Sequence, residues 1–574
     1  MAPSIAVIGA GFSGLVVGVQ ARKILNTDNF TIFEKEPAVG GTWLVNKYPG
    51  AACDVMSHFY SFSFELNPDW SMSYSPGDEI WRYMDTVAKK HQLHEKTRFG
   101  HELREARWIE EDGEWDLLFL VHDNSSKSPT ELRLRFNYLI YGGGSLHHPK
   151  FPDYPGWDKY KGAAAHSAAW PSGVDLRGKN VGVIGNGASG VQIVEKIAPL
   201  AKQLTIYQRT PNWYLPKLMF SYPAWLRWVF RYVPLTMWLH RLYISLSSEL
   251  MFPIWLKSTW MQSIASFVVH RLYDVTITDS KLRSALTPKY AVGTKRILPQ
   301  ITYLEDLQRP NVELVHAERI VEIDATGIWT EAKQSERKHR DHDIIIAATG
   351  FDASPTASPV KIYGRGGVER GDKWFKQTGE KNLAIHYKTV MTSAFPNFFT
   401  VYGPNTGVGH TSAVTMIEAE ADLSLRIIKE AISHGLKAIE PKEEVERKYT
   451  EKLWEDLKKT VWCGGQTHSW YNPTNRTDGK LSTMWPYDAY TMYRQFRDLD
   501  LEDFNAIGRD GKAVDTAKLN KAFWVPWVIV IGSAALAGGV AVAMTGHEEV
   551  LEWVQQQSEQ VVKSVQGVID SFNH

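Results

Sequence analysis

Two glycine-rich loops of the same pattern constrain the fold of this chain more than any other feature. The apolar run at residues 5–8 leads directly into Gly-Ala-Gly-Phe-Ser-Gly at residues 9–14. The apolar run at residues 181–184 leads in the same way into Gly-Asn-Gly-Ala-Ser-Gly at residues 185–190. A buried strand that ends in Gly-x-Gly-x-x-Gly and opens a helix is typical of a dinucleotide-binding unit. The sequence therefore predicts an α/β fold with two Rossmann-like dinucleotide-binding domains.

Each glycine of the first loop has a separate predicted role. Gly9 allows the tight turn, Gly11 lets the backbone approach a pyrophosphate, and Gly14 permits close contact between helix and strand. The phosphate is expected at the helix N-terminus, where free N–H groups and the helix dipole favour an anion. The strand expected at residues 30–33 ends at Glu34, whose carboxylate can accept hydrogen bonds from ribose hydroxyls. The alternative is a glycine-rich turn without a ligand.

The second loop is followed by a basic residue where the first is followed by an acid. The strand expected at residues 204–207 leads into Gln208, Arg209 and Thr210. Arg209 can pair with a ribose 2′-phosphate and Thr210 can add a hydroxyl, so NADPH is the predicted nicotinamide cofactor. The alternative is a surface arginine at a strand end. The predicted loop contacts with NADPH are Gly185, Gly187, Ser189 and Gly190.

A run between the two loops carries an aromatic residue, a glycine, a histidine and a Trp-Pro ending. Residues 160–171 read Tyr-Lys-Gly-Ala-Ala-Ala-His-Ser-Ala-Ala-Trp-Pro. In this position the run resembles the fingerprint of the type I Baeyer–Villiger monooxygenases, flavoenzymes that use NADPH and O2 to convert ketones into esters or lactones. The family usually has phenylalanine where this chain has Tyr160. Simple flavin monooxygenases lack the Trp-Pro ending, so the resemblance favours the Baeyer–Villiger branch.

A second stretch, residues 40–54, is similar to another signature of that family, Gly-Gly-x-Trp-x4-Tyr-Pro-Gly-x3-Asp. The resemblance implies that the first unit binds FAD rather than NAD. For the aspartate the alternative is a turn cap, because Asp is common after a Pro-Gly loop. The residues implied to line the flavin are Thr42, Trp43, Asp54, Val55 and Tyr60.

The sequence Gly-Thr-Lys-Arg at residues 293–296 is similar to the Lys-Arg site of the family. The resemblance implies that Arg296 is catalytic, that Asp54 orients it, and that Lys295 is a second contact for the 2′-phosphate. Arginine suits this role because oxygen insertion builds negative charge on oxygen atoms, and a guanidinium stabilises that charge without giving up its proton. Taken alone, Lys295 and Arg296 would be a solvated surface pair. Further family-like motifs extend the resemblance over roughly residues 4–500.

Length and composition are consistent with several domains and no nucleic-acid partner. A chain of 574 residues exceeds a single core, and a net charge of zero gives no reason to expect a polyanion. Only Cys53 and Cys463 are present, which excludes a disulfide framework and zinc-ligand spacing, and no metal site is expected. The predicted domains are an FAD-binding domain in two parts, 1–150 and 386–510, and an NADPH-binding domain, 151–385, with a helical insertion at 213–285.

The segment between Trp213 and Tyr273 is unusually aromatic and basic. It contains six tryptophans, six lysines or arginines, and one acid, Glu249. Prolines at 223, 234 and 253 predict a succession of short helices. Such helices either lie in a lipid headgroup layer or pack into a core. The sequence leaves both possibilities open.

The C-terminal region predicts a transmembrane helix at 522–546, followed by a short amphipathic tail at 547–574. These 25 residues carry no formal charge, which exceeds the roughly 20 residues that span a bilayer. Cations at 509, 512, 518 and 521 precede the segment and none lies within 547–560, which places the catalytic body in the cytoplasm. An intracellular membrane such as the endoplasmic reticulum is expected. A buried core helix is the alternative.

The predicted protein is a membrane-anchored, FAD-dependent monooxygenase that uses NADPH and O2 to insert oxygen into a lipophilic ketone. Its expected partners are the ketone, O2 and membrane lipid. One alternative is a flavin monooxygenase that hydroxylates a nitrogen or sulfur centre. Another is a membrane-tethered NADPH-binding protein without catalytic activity, and the presence of Arg296 and Asp54 argues against it.

Overall fold

The computed structural model describes residues 3–122, 128–144, 146, 149–171, 173–332, 337–352, 359–519 and 522–523. The chain divides into two compact units. The first comprises residues 1–496 and 500–520, and the second comprises residues 497–499 and 521–574. The described residues of the second unit form a short antiparallel pair of strands.

The strands follow one another along the whole described chain. In chain order they are β1 Ile5–Ile8, β2 Phe30–Phe33, β3 Thr97–Arg98, β4 His101–Ile109, β5 Glu114–Val121, β6 Thr130–Phe136, β7 Tyr138–Tyr141, β8 Ala163–His166, β9 Asn180–Ile184, β10 Gln203–Tyr207, β11 Tyr214–Pro216, β12 Leu298–Gln300, β13 Val312–Val315, β14 Glu318–Ile323, β15 Gly327–Ala332, β16 Arg337–Asp341, β17 Ile344–Ala347, β18 Lys361–Tyr363, β19 Phe398–Thr400, β20 Leu436–Pro441, β21 Asp498–Leu499, β22 Phe504–Gly508, β23 Ala513–Val514 and β24 Ala522–Phe523.

The α-helices lie between these strands. They are α1 Phe12–Ile24, α2 Thr42–Val45, α3 Gly77–Lys90, α4 Ala188–Ile197, α5 Ala224–Tyr232, α6 Thr236–Leu250, α7 Trp260–Thr276, α8 Ser280–Leu286, α9 Tyr303–Asp306, α10 Arg370–Thr378, α11 Ala413–Ser433, α12 Glu443–Leu457 and α13 Ala489–Arg497. Short 3-10 turns include Phe252–Trp255 and Val461–Cys463. Among the described residues, none of the helices is long and apolar enough to cross a membrane.

The first sheet is fully parallel and has the order β19-β7-β1-β2-β3. Strand β1 is buried along its length, which explains its uninterrupted apolar sequence. Helix α1 connects β1 to β2, and it packs against α11, which lies about 400 residues further along the chain. Strand β19 also comes from this late region, so both ends of the catalytic body contribute to one sheet.

The second sheet is also fully parallel, with the order β13-β10-β9-β17-β8. Helix α4 connects β9 to β10 and repeats the arrangement of α1 in the first sheet. The run at residues 160–171 supplies the edge strand β8, which pairs with β17. The prediction of an α/β fold with two Rossmann-like sheets is confirmed.

The predicted helical insertion begins with a strand. Strand β11 pairs in parallel with β12, and the helices α5 to α8 follow within residues 224–286. The Pro residues at 223, 234 and 253 lie at or beside helix boundaries, as the sequence predicts.

The C-terminal prediction lies almost entirely outside the described residues. Residues 524–546 of the predicted transmembrane helix and the amphipathic tail at 547–574 are not among them. The first two residues, Ala522 and Phe523, are extended and pair with Asp498–Leu499. The predicted helix start at 522 is therefore wrong, because these two residues make strand hydrogen bonds.

Candidate functional site

The glycines of the first loop are required by contacts with the backbone. Gly9 has φ +94°, and a Cβ added there would lie 2.6 Å from the carbonyl oxygen of Gly142. A Cβ at Gly14 would lie 1.8 Å from the Gly9 oxygen. At Gly11, which precedes α1, the nearest atom to an added Cβ is the Gly41 Cα at 3.7 Å, among the described residues. This open side of the helix N-terminus fits the approach of a pyrophosphate.

Glu34 lies at the end of β2 and is almost completely buried. Its carboxylate accepts hydrogen bonds from the backbone N–H of Ala10 at 2.6 Å and of Glu36 at 2.9 Å. Burial raises the pKa of Glu34, although both N–H groups oppose the shift. Each carboxylate oxygen has a second lone pair, so the position also suits the predicted contact with a ribose.

The residues implied to line the flavin gather beside the start of α1. The Trp43 indole N–H donates to the Tyr60 hydroxyl at 3.3 Å, and the Tyr60 ring packs edge-on against Phe12 with centroids 5.2 Å apart. Thr42 is exposed at the first position of α2. The Val55 N–H donates to the Cys53 sulfur at 3.3 Å. Together these residues form a partly open aromatic and polar lining next to the first loop.

Asp54 and Arg296 form an ion pair across 242 residues of chain. The Arg296 Nε donates to Asp54 Oδ2 at 2.5 Å, and each side chain is 23 % exposed. Burial alone would raise the pKa of Asp54, but the charge and hydrogen bond of Arg296 outweigh it and hold that pKa below its usual value. Burial alone would lower the pKa of Arg296, but Asp54 keeps it well above its usual value. The pair therefore stays ionised, and the guanidinium cannot act as an acid.

Other groups around Arg296 were not predicted from the sequence. The Arg296 Nη1 lies 3.5 Å from the carbonyl oxygen of Val408. Burial raises the pKa of the nearby Tyr471 phenol, and the positive charge of Arg296 opposes part of that shift. Lys217 donates to the Cys53 carbonyl oxygen at 2.8 Å and adds a second positive charge beside Asp54. No spacing in the sequence indicates these contacts, since they join segments far apart in the chain.

Cys53 precedes Asp54 and is not a nucleophile. Its thiol is buried, and burial raises its pKa to about 12. A thiol with this pKa is protonated at neutral pH, whereas the thiolate is the reactive form. The charges at this site are therefore those of Asp54, Arg296 and Lys217.

Two glycines of the second loop are also required by close contacts with the backbone. Gly185 has φ +107°, and a Cβ there would lie 2.4 Å from the Ala348 oxygen. A Cβ at Gly190 would lie 2.5 Å from the Gly185 oxygen. At Gly187, before α4, no atom of the described residues lies within 4 Å of an added Cβ. Ser189 lies in the first turn of α4. The open space at Gly187 fits a nucleotide phosphate.

Asn186 fixes the second loop to the strand that follows it. Its amide nitrogen donates to the Gln208 side chain at 2.8 Å and to the Thr210 carbonyl oxygen at 3.0 Å. Its own carbonyl oxygen accepts from Asn212 at 2.9 Å. The sequence contains no pattern that would have revealed this role.

Two cations approach each other at the predicted 2′-phosphate site. Arg209 follows β10 and is exposed, while Lys295 is half-buried. Burial and then the charge of Arg209 lower the pKa of Lys295 from 10.5 to about 8. A bound phosphate would reverse this effect, since its negative charge stabilises both cations. Lys295 is therefore close enough to Arg209 for their charges to interact, and Thr210 adjoins Arg209 in the chain.

The two nucleotide-binding sheets meet through the loop that carries Asp54. The Tyr48 hydroxyl donates to the Gln192 side chain at 2.8 Å, and the Gln192 amide donates to the Ala52 carbonyl oxygen at 2.9 Å. A Cβ at Gly50 would lie 2.6 Å from the Gln192 oxygen. The flavin-side loop and α4 are therefore held in direct contact.

His166 is a connecting residue at the edge of the second sheet. Its Nδ1 accepts from the Ala168 N–H at 3.0 Å, and its Nε2 lies 3.4 Å from the Thr349 hydroxyl. Burial lowers its pKa. These contacts fix the turn after β8 against the turn after β17, where the chain passes between the two sheets.

Comparison with known proteins agrees with this arrangement. A family model described as flavin-binding monooxygenase-like matches residues 2–285. The chain is 35 % identical to a Baeyer–Villiger monooxygenase of Pseudomonas aeruginosa over 91 % of this chain and 95 % of that protein. It is 33 % identical to the FAD-binding monooxygenase ktnD of Aspergillus niger over 95 % of this chain and 88 % of that protein.

Solved structures extend the similarity to the complete catalytic body. A closed crystal structure of cyclohexanone monooxygenase has 27 % identity and a TM-score of 0.73, covering 88 % of this chain and 99 % of its own. An oxidised steroid monooxygenase bound to NADP has 25 % identity and a TM-score of 0.74 over the same shares. OTEMO in complex with FAD and NADP has 26 % identity and a TM-score of 0.74, covering 86 % of this chain and 97 % of its own.

Proposed function

Because this chain belongs to the type I Baeyer–Villiger monooxygenases, we propose that it inserts one oxygen atom of O2 beside the carbonyl group of a lipophilic ketone. It is an NADPH-dependent flavoprotein monooxygenase with FAD and NADP(H) as its cofactors. When bound, FAD supplies the redox chemistry by taking electrons from NADPH and passing them to oxygen. The residues of this chain bind, orient and stabilise the reactants.

The observation that carries this proposal is the Asp54–Arg296 pair. Asp54 is close enough to Tyr60 of the flavin lining to affect its pKa, and Arg296 directly follows Lys295 of the predicted phosphate site in the chain. Asp54 engages the Nε of Arg296, and Nη1 makes a long contact of 3.5 Å with the Val408 carbonyl oxygen, so the Nη edge is the part of the guanidinium left to bind oxygen atoms of the reactants. A permanently charged group that is fixed before the reaction stabilises negative charge developing on oxygen. Insertion of oxygen next to a carbonyl requires this stabilisation.

A lipophilic ketone is supported by the names of similar proteins and by aromatic side chains near Arg296. Two of the solved relatives are named for cyclohexanone and for a steroid. Tyr471 faces the Arg296 charge, and Trp470 packs edge-on against Tyr471 with centroids 4.4 Å apart. Aromatic rings bury apolar surface efficiently, so this lining suits a substrate with little polarity beyond its carbonyl group.

We also propose that the part of the 522–546 segment that follows the extended Ala522–Phe523 pair anchors the enzyme in an intracellular membrane such as the endoplasmic reticulum, with the catalytic body in the cytoplasm. The segment is uncharged, and Trp524 and Trp527 lie near one end, as interfacial aromatics do. A helical span would begin after the extended Ala522–Phe523 pair. The cations before the segment favour a cytoplasmic body. An anchored enzyme would meet substrates that partition into lipid.

Product analysis tests the proposed reaction. Purified protein is supplied with NADPH, isotopically labelled O2 and a panel of cyclic and linear lipophilic ketones, with matched amines and sulfides as competitors. We expect an ester or lactone with one labelled oxygen atom. N-oxides or sulfoxides without any ester would replace the proposed reaction with hydroxylation of a heteroatom. Absence of both NADPH oxidation and product would contradict any oxygenase activity.

A further inference from the structure

The helices of the insertion expose apolar side chains on their outward face. On α6, the residues Leu235, Leu239, Tyr243, Leu246 and Leu250 are all exposed, with Tyr243 at 68 % and Leu250 at 72 %. Their spacing of three or four residues places them on one side of the helix. Single exposed apolar residues are ordinary, but a contiguous apolar patch larger than a few hundred Å² marks an interaction surface.

The neighbouring helices continue this feature. Trp225, Trp228 and Tyr232 are exposed on α5, which packs against α6. Trp260 is 72 % exposed on α7, and Ile264 and Phe267 are also exposed there. Both α6 and α7 contact the short turn at Phe252–Trp255. The exposed residues of α5, α6 and α7 are called the apolar face below.

The orientation of α6 is fixed by polar contacts on its inner side. Arg241 is buried and donates to the carbonyl oxygens of His58 at 2.8 Å and Ser61 at 2.9 Å. Glu249 accepts from the Ala489 N–H at 2.9 Å and lies 3.0 Å from the His410 ring nitrogen. A surface helix of a soluble protein turns its apolar stripe inward. In α6 the charged Arg241 and Glu249 share the inner side with the buried Ile244, while Leu239, Leu246 and Leu250 are exposed. Rotation of the helix would leave Arg241 without its partners.

From this inversion we propose that the apolar face of α5–α7 docks into the headgroup layer of a phospholipid bilayer. Tryptophan and tyrosine suit this layer because each ring has an apolar body and a polar tip. Glu249 is the one acid between Trp213 and Tyr273 and it is buried, so the outward charges of that segment are all positive. Lys257 is exposed among them, whereas Arg231 pairs with Asp69 and Arg271 lies 3.9 Å from Asp274 on α7. Positive charges are attracted to anionic lipids. This surface is separate from the proposed anchor within 522–546.

The inner side of the insertion contacts the loops around Arg296. The Trp255 ring would lie 3.0 Å from a Cβ added at Gly293 and 2.4 Å from one added at Gly409. Gly293 precedes Thr294 and Arg296 in one loop, and Gly409 follows Val408, whose carbonyl oxygen lies near Arg296. Docking would therefore bring the bilayer to the element that covers the candidate site. A ketone dissolved in lipid would enter from that side. This last step rests on the proposed function, whereas docking itself does not.

A site-specific label in the full-length chain tests the docking. Cys53 and Cys463 are both buried, so an environment-sensitive dye can be attached at Leu239→Cys. Lys338→Cys on β16, which is 65 % exposed, is the matched control. The protein is placed in nanodiscs of phosphatidylcholine and phosphatidylserine that carry nitroxide groups on their acyl chains. We expect quenching at least about threefold stronger at position 239 than at position 338.

The other occupants of the apolar face give different results, and each would overturn the proposal. Shielding of the label at 239 without lipid and at every protein concentration would mean that another segment of the chain covers the face. Shielding that depends on protein concentration would indicate a second copy. Equal quenching at 239 and 338 would exclude docking.

A second measurement separates this surface from the C-terminal anchor. The solved cyclohexanone monooxygenase aligns with 88 % of this chain, and the first compact unit ends at residue 520, so a chain ending at Leu519 keeps nearly all of that unit. This shortened protein should float with phosphatidylserine-containing vesicles. The pair Leu239→Glu and Leu246→Glu should reduce flotation at least about tenfold and leave the flavin content unchanged. Unchanged flotation of the double variant would contradict docking, whatever the ketone turns out to be.

Discussion

At the scale of single residues, two opposing effects determine the pKa of Arg296. Partial burial disfavours its charge, and Asp54 restores that charge through a 2.5 Å hydrogen bond. Asp54 also fixes which edge of the guanidinium faces the cofactor site, because it occupies Nε. A lysine at this position would carry a point charge without this planar geometry, and a dry site would favour loss of its proton.

Removal of Arg296 should separate NADPH oxidation from oxygen insertion. Transfer of a hydride does not require positive charge beside oxygen, whereas insertion does. Arg296→Ala should still oxidise NADPH in air, and hydrogen peroxide should account for the NADPH consumed. Ester formation should fall by at least roughly a hundredfold, the loss typical when one oxyanion donor is removed. Anaerobic stopped-flow spectra and aerobic product counts measure the two steps.

A matched variant sharpens this test. Arg296→Lys keeps a positive charge but loses the fork that pairs with Asp54, and we expect it to produce peroxide too. Arg177→Ala removes an arginine from the exposed surface before β9 and should behave like the unaltered enzyme. Near-normal ester yield from Arg296→Ala would contradict the proposed role of Arg296.

Lys295 predicts a pH dependence that is specific to NADPH. Its pKa of about 8 means that it is protonated below this pH and neutral above it. The 2′-phosphate binds the protonated form of Lys295. The second ionisation of the phosphate itself, at about pH 6, is already complete in this range. The KM for NADPH should therefore rise about fivefold between pH 8 and pH 9, the effect of a single proton. Steady-state kinetics with both nucleotides measure this change.

The comparison with NADH isolates the phosphate contact. The KM for NADH should change little over the same range, because NADH has no 2′-phosphate. Lys295→Arg should remove the dependence, since a guanidinium stays charged. Parallel pH profiles for NADPH and NADH in the unaltered enzyme would place Lys295 outside the phosphate site.

The sequence indicated the charged residues of the site but not the contacts that hold them. Asp54, Arg296 and Lys295 were implied by family-like motifs, and the structure places Asp54 against Arg296. The contacts of Lys217, of Gln192 and of the Val408 backbone carbonyl were not predicted. No sequence pattern distinguishes these groups from the many similar groups elsewhere in the chain. Their roles come from contacts between distant segments, which neither spacing nor composition reveals.

At the scale of elements, the two loop–helix units allow a matched test of glycine function. Both Gly187 and Gly190 belong to the second loop, but their surroundings differ. A Cβ at Gly190 would overlap the Gly185 oxygen at 2.5 Å, whereas a Cβ at Gly187 would enter open space among the described residues. Gly187 has φ −75°, which any residue can adopt. Gly187 is therefore predicted to matter for NADPH binding, and Gly190 for the stability of the fold.

These surroundings predict opposite effects of alanine. Gly190→Ala should destabilise the protein by about 1–3 kcal/mol, the usual cost of forcing atoms into a filled space, and calorimetry should show a lower Tm. Gly187→Ala should keep the Tm and the bound FAD but raise the KM for NADPH at least about tenfold. The methyl group would occupy the path of the phosphate. A lower Tm in Gly187→Ala with unchanged NADPH kinetics would mean that Gly187 is required for the fold and not for NADPH binding.

At the same scale, sequence patterns predicted where helices and strands occur better than which face of a helix is buried. The Gly-rich loops predicted β1, α1, β9 and α4, because Gly14 and Gly190 each approach the first glycine of their own loop, a requirement that acts between close neighbours in the chain. Helix α11 is capped by the Ser412 side chain, which accepts from the Val414 N–H. The apolar stripe of α6 would ordinarily predict a buried face. It faces outward because Arg241 finds carbonyl partners on the inner side.

At the scale of the whole molecule, the catalytic body contains the cofactor motifs, and the C-terminal segment contains the proposed membrane anchor. The motifs for FAD and NADPH lie upstream of residue 500, in the sheets formed by β1 and β9 and their neighbours. The division between two sheets followed from the repeated loops. Their contact through Tyr48, Ala52 and Gln192 could not be predicted, because it depends on how two folded layers meet.

Removal of the proposed C-terminal anchor should abolish integral membrane attachment and leave the cofactor bound. Full-length protein is expected to pellet with membranes and to resist carbonate extraction, because about 20 apolar residues suffice for a stable span. A chain ending at Asp515 should be extracted by carbonate and keep its bound FAD, since the residues implied to bind flavin lie upstream. The apolar face of α5–α7 would still give reversible, salt-sensitive attachment, as interfacial helices do.

Carbonate distinguishes the two kinds of attachment, because it removes peripheral proteins from the membrane and leaves membrane-spanning segments in place. Extraction of the full-length protein by carbonate would contradict the anchor, and resistance of the shortened chain would move the integral attachment to the insertion.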